Sequence, residues 1–67
     1  MSVGKNIKAH RERLGISQVE MSEKLGISQP MLCQIEKDRK APSLMLSKEI
    51  AEIFNCSVDS LLDGDAS

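Results

Sequence analysis

Apolar residues along this 67-residue chain recur at helical spacing in five segments, separated by serine, glycine, asparagine and proline. The first runs from about Val3 to Leu14, with Val3, Ile7 and Leu14 on one stripe, and Gly15 ends it. The second starts at Ser17, whose hydroxyl is placed to cap the helix while Glu20 reaches back to the cap N–H, the S-x-x-E pattern. Met21 and Leu25 share its inner face, and Gly26 stops it. The third opens with Ser28 as N-cap, carries Pro30 in its first turn, where a missing N–H costs little, and continues to about Lys37 with Leu32 and Ile35 inward. After a loop over 37–42, a fourth helix runs from Ser43 to about Phe54. It is expected to bury Leu44, Ile50, Ala51 and Phe54 or Ile53, with Asn55 as a left-handed stop. The fifth is short, capped by Ser57, and offers Val58, Leu61 and Leu62 before Asp63-Gly64. The pattern predicts one all-α, five-helix domain over 1–63, and residues 64–67 are expected to fray.

Composition agrees with helices and narrows the function. Phe54 is the sole aromatic and Val and Thr are few, which counts against a sheet. A domain this short buries only about 60% of the surface of its unfolded chain, so binding through an outer face is favoured over a deep catalytic cleft. No nucleophile and base pair, no metal-ligand spacing and no phosphate-cradling glycine loop is present, so no enzyme, metal or cofactor is expected. Cys33 and Cys56 form no disulfide or zinc pattern, which suits a reducing cytoplasm. No apolar run approaches the ~20 residues of a membrane span, and no signal sequence opens the chain. The formal net charge of −1 hides an asymmetry: residues 1–48 hold all nine Lys and Arg against five acids, whereas 49–67 hold five acids and no base. One end is suited to face phosphates and the other to face away. An ordinary solvated surface with an acidic tail would have the same counts.

The stretch Gln18 to Glu36 carries the strongest pattern. Two helices crossing steeply through a short turn need a small residue where the backbones approach, a residue able to take positive φ, and an apolar plug after the turn. Ser22, Gly26 and Ile27 meet these needs, and Met21, Leu25, Leu32 and Ile35 knit the pair to a core. With G-I-S-Q at 15–18, L-G-I-S at 25–28, I-E at 35–36, A-P-S-L at 41–44, I-A at 50–51 and S-V-D-S-L-L at 57–62, the chain resembles the Cro and phage-repressor type of helix-turn-helix regulators, the xenobiotic-response-element family. The resemblance covers about Val3 to Leu62.

It implies a compact phage-repressor-type fold with helices 2 and 3 as the helix-turn-helix, and a sequence-specific transcriptional regulator, most simply a repressor. Such a protein would bind the major groove of double-stranded DNA at a pseudo-palindromic operator, as a homodimer through its C-terminal helices. By position, Gln29, Pro30, Met31 and Gln34 match the exposed positions of the reading helix that face bases. Glutamine amides suit adenine N6 and N7, and a methionine suits a thymine methyl. Gln18 matches a phosphate-binding glutamine; Ser28, Arg39, Lys40 and Lys5 are further phosphate candidates. Arg11 and Glu36 match a pair that in some relatives forms a partly buried structural salt bridge, so Arg11 is not counted as a DNA contact.

Some positions depart from the pattern. Pro30 and Met31 stand where polar residues are common, so base preference does not transfer by analogy. Ser47 falls where a core leucine is common, and Met45 and Leu46 are apolar where polar residues are. The fourth helix is then either slightly rotated or presents an apolar patch. The latter supports a second reading, a protein-interaction module such as a DNA-binding antitoxin or bridging factor. His10, without ligand partners at suitable spacing, reads as a half-buried helix residue. Cys56 reads as a core side chain. Cys33 is expected on the exposed face of the reading helix, as an incidental small residue in preference to a redox switch.

Overall fold

The computed structural model describes residues 2–63, with backbone alone for Leu62 and Asp63; the segment 64–67, expected to fray, lies outside the described residues. Five helices follow in order: α1 (Val3–Arg13), α2 (Gln18–Leu25), α3 (Gln29–Glu36), α4 (Leu44–Phe54) and α5 (Val58–Asp63). No strand occurs among the described residues.

Every helix starts on a serine. The hydroxyls of Ser2, Ser17, Ser28, Ser43 and Ser57 accept from the N–H three residues on, at Lys5, Glu20, Met31, Leu46 and Ser60, over 3.0–3.2 Å. Each such cap is worth ~1 kcal/mol. At Ser17 the bond runs one way; the reciprocal bond from the Ser17 N–H to the Glu20 carboxylate is not formed.

The ends of α1 to α4 also share one device. Gly15, Gly26, Asp38 and Asn55 all take positive φ, between 56° and 71°. The next residue in each case donates its N–H five residues back: Ile16 to Arg11, Ile27 to Ser22, Arg39 to Gln34 and Cys56 to Ala51. This is the Schellman closure, usually accompanied by an apolar contact from the residue after the turn. Ile16, Ile27 and Cys56 supply it, each packed against the core. Arg39 does not, and is exposed.

The core joins all five helices through Ile7, Met21, Leu25, Leu32, Ile35, Leu46, Ile50, Ala51, Phe54 and Leu61. Helix α1 packs on α3, α4 and α5, and α2 packs on α3 and α4. Ser22 is buried at the α2 turn, its hydroxyl turned onto the Val19 carbonyl at 2.8 Å. Asn6, also buried, donates to the carbonyls of Leu61 at 2.8 Å and Ser60 at 3.3 Å. It thereby ties α1 to α5 and occupies carbonyls near that helix's end, which have few partners within so short a helix. His10 is half-buried and stacks on Phe54, ring centroids 5.1 Å apart. Burial pushes the Cys56 thiol above its ordinary value.

Four side chains, Leu14, Leu44, Met31 and Cys33, are placed differently from the sequence reading. Leu14 is the C-cap of α1 and 53% exposed, because the helix closes at Arg13 before the stripe comes round again. Leu44 is 67% exposed and Met45 72%, because α4 turns Leu46, Ser47, Ile50, Ala51 and Phe54 inward and leaves these two off that face. Ser47 thus lies in the core where Leu44 had been expected to contribute. Met31 and Cys33 are half-buried, not exposed, and Met31 packs against the core.

Two long-range contacts set α1 on α3. At the first, Gly4 sits so close to the end of α3 that a Cβ would fall 2.7 Å from the Glu36 carbonyl and from Asp38 Oδ1, and closer still to the Ile35 carbonyl. The Gly4 N–H, without an acceptor inside its own helix, donates to Asp38 Oδ1 at 2.9 Å. Hydrogen bonds from Ser2 and from this N–H hold the Asp38 carboxyl below its ordinary value. The second is an ion pair. Arg11 Nε donates to Glu36 Oε2 at 2.7 Å and Nη2 to Oε1 at 3.2 Å, both side chains being almost wholly buried. Arg11 Nη1 also donates to the Ile16 carbonyl at 2.8 Å. The hydrogen bond to Glu36 stabilises the charged guanidinium further, against the opposing effect of burial.

Gly4→Ala is expected to lose about 1–3 kcal/mol in urea unfolding, because backbone oxygens cannot rotate away from the new methyl. Arg11→Met alone should lose about 3–5 kcal/mol by leaving Glu36 buried without a counter-charge, a large part of the total for a domain of this size. Arg11→Met combined with Glu36→Met should recover most of that loss. A double variant no more stable than the single would show that the pair itself is strongly stabilising.

Candidate nucleic-acid interface

Helix α3 turns Leu32, Ile35 and Glu36 inward, with Met31 beside them, four residues before Ile35. The same periodicity leaves Gln29, Pro30 and Gln34 exposed. Lys37, the C-cap, continues that row three residues beyond Gln34 and is also exposed. The outer face of the helix is therefore two amides, a proline ring and a terminal cation, with half-buried Cys33 at its margin. Pro30 costs α3 nothing, since it occupies the first turn, where the N–H has no partner within the helix.

Exposed cations follow α3 and open α1. Arg39 and Lys40 follow α3 directly. Arg39 follows the left-handed turn at Asp38 (φ +62°) and is exposed at the position where the other closures place an apolar side chain on the core. Lys5 lies exposed in the first turn of α1, close in sequence to Gly4, which contacts the end of α3. Ser28 is exposed, with its hydroxyl oxygen accepting from Met31 N–H at 3.2 Å and its own hydrogen free to be donated.

Gln18 is the first residue of α2 and half-buried. Its Nε2 donates to Glu36 Oε1 at 3.0 Å. Three segments distant in sequence thus converge at Glu36: α1 through Arg11, the start of α2 through Gln18, and α3 through Glu36 itself. The α2 N-terminus presents unpaired N–H groups and a partial positive charge beside this cluster, an arrangement suited to an anion.

Sequence reasoning singled out Gln29, Pro30 and Gln34, which share an exposed face here, and Met31, which the helix turns partly inward. It missed Lys37, although spacing from Gln34 would have found it. It also missed Asp38 and Gly4, whose contact spans 34 residues and has no local signal. Among the described residues no three His, Cys, Asp or Glu side chains converge as a metal site would require. No helix there is long and apolar enough to cross a membrane. An apolar cleft of about 240 Å³ lies between Val3 and Pro42, with Ile35 and Lys40 in its lining.

Comparison with known proteins places this arrangement. The helix-turn-helix family profile matches residues 7–61. The chain is 35% identical over 65 residues to the HTH-type transcriptional regulator ImmR of Bacillus subtilis strain 168, covering 97% of this chain and 51% of that protein. It is 36% identical over 62 residues to the immunity repressor protein of Bacillus phage phi105, covering 92% of this chain and 43% of the repressor. The chain thus spans about half the length of the curated relatives it matches. Among solved structures, the P22 c2 repressor protein in complex with synthetic operator 9T superposes with a TM-score of 0.90 at 29% identity, over 97% of this chain and 98% of that one. A family profile matched over most of the chain and a superposition through nearly the whole fold lead to one conclusion: this chain belongs to the helix-turn-helix family.

Proposed function

We infer that the chain is a sequence-specific DNA-binding transcriptional regulator that inserts α3 into the major groove. The observation that carries this reading is the exposed row Gln29, Pro30, Gln34 and Lys37 on a helix whose opposite side is locked into the core. Amides with no internal partner on a rigid helix are suited to reading base edges, because each can donate and accept in one plane. The P22 c2 repressor, solved in complex with a synthetic operator and similar in fold, supports DNA binding.

The roles then divide by chemistry. Gln29 and Gln34 read bases, each good bidentate pair contributing ~1–3 kcal/mol of discrimination. Pro30 shapes the helix start, and the exposed part of Met31 meets a thymine methyl at most. Gln18, Ser28, Arg39, Lys40 and Lys5, joined by Lys37, bind phosphate and fix the register without reading sequence. Eight residues of α3 extend only ~12 Å, a few base pairs. A homodimer on a pseudo-palindromic operator supplies the rest. The described residues measure 29 × 23 × 20 Å, so two copies with reading helices one turn of DNA apart, about 34–36 Å, lie within reach of one another. Repression by occupying the operator is the simplest outcome, and the cytoplasm its setting.

One observation favours a second reading, a protein-interaction module: Leu44 and Met45 stand exposed at the start of α4. An apolar pair there serves a second copy or a different protein equally well.

Selection from a random duplex pool at moderate salt is expected to return a symmetric site. Failure to enrich any sequence overturns the operator reading. On the selected site, Gln29→Ala and Gln34→Ala should relax preference at individual bases. Arg39→Ala should weaken binding to all sequences alike and lower the salt slope by ~1. Met45→Lys should leave binding to a single half-site unchanged; if it also leaves self-association on the full site intact, the start of α4 is not the dimer surface.

A further inference from the structure

Glu36 is buried and both of its oxygens accept hydrogen bonds. Oε2 accepts from Arg11 Nε, while Oε1 accepts from Arg11 Nη2 and from Gln18 Nε2. Gln18 is only half-buried and opens α2. A glutamine amide has a carbonyl on one side and an NH₂ on the other, similar in size, so a free one presents either to its surroundings. An ionised carboxylate accepts only. The bond to Oε1 therefore sets the flip of the Gln18 amide: nitrogen toward Glu36, one hydrogen used, the second hydrogen left for another acceptor.

We propose that Glu36 is a positioning residue for DNA binding, holding the Gln18 amide so that its second N–H donates to a backbone phosphate, with Arg11 neutralising the carboxylate that would otherwise repel that phosphate. This rests on the DNA-binding reading above. A phosphate, like a carboxylate, accepts only, so an amide NH₂ is the one neutral group that can bridge the two through a single nitrogen. Without the anchor, the amide would spend part of its time with its carbonyl toward the phosphate, and binding would have to order the side chain as well. The guanidinium contacts both carboxylate oxygens, so the field that reaches the phosphate is that of a nearly cancelled pair. The pair that fixes α1 on α3 thereby also prepares the first residue of α2.

A double-mutant cycle on DNA affinity tests this. Gln18→Ala is made in the wild type and in R11M/E36M, where the pair is replaced by apolar side chains, and each protein is titrated against the selected duplex. The expected loss is about tenfold in the wild type and about twofold or less in R11M/E36M. Equal losses in both backgrounds, or none in the wild type, overturn the proposal. They leave the DNA-binding reading standing, since wild-type binding is measured in the same titration; a wild type that binds no duplex overturns both. If R11M/E36M does not fold, the wild type carries the test by NMR. One Gln18 side-chain proton should exchange slowly with water in the free protein and remain protected with DNA, while the other shifts when duplex is added. Two freely exchanging protons, or loss of the protected one on binding, overturn the proposal.

Discussion

The Arg11–Glu36 ion pair is the interaction on which the arrangement of this domain depends. Burying two charges is costly, and their mutual attraction offsets the cost only where geometry is good and every remaining donor and acceptor is occupied. Here Arg11 holds both oxygens of Glu36 and the Ile16 carbonyl, and Gln18 takes the last place on Oε1. No buried side-chain polar atom among the described residues lacks a partner. What the pair supplies is position. An apolar contact between α1 and α3 would tolerate sliding by a fraction of a turn, whereas a forked guanidinium on a carboxylate defines one distance and one orientation.

That constraint matters because the hydrophobic core is small. A domain of this length has little apolar burial to spare, and its net stability is a few kcal/mol. Uniqueness therefore comes from directional contacts at the helix ends. Five serine caps start the helices, and four left-handed residues close the ends of α1 to α4 with the same hydrogen bond. In three of these closures an apolar residue follows the turn and folds back onto the core. In the fourth, after α3, the residue is Arg39. One local motif thus yields an anchor on the core in three places and an exposed cation in the other.

The candidate interface shows how much of a site can be legible before its fold is known. Gln29, Pro30 and Gln34 were identified position by position from the resemblance, and all three are exposed on α3. Met31 was misplaced for want of helical arithmetic: it stands four residues before Ile35, so the helix carries it toward the core. Leu14 and Leu44 failed differently. Each lies at an end of its helix, and there the apolar pattern alone did not decide burial.

The sequence by itself determined the five helices, the serine starts of the last four, the turns at Gly15, Gly26 and Asn55, and the pairing of α2 and α3 as the helix-turn-helix. Caps, turns and periodicity act over at most five residues, so their chemistry is written contiguously. Only the tertiary structure decided that Gly4 must lack a side chain, that Asp38 holds the start of α1, that Asn6 closes onto α5, and that Gln18 is anchored on Glu36. Those contacts join residues 18 to 55 positions apart. Their partners are brought within hydrogen-bonding distance by packing of the whole core, and nothing in the neighbourhood of any one of them in sequence specifies which partner it will find.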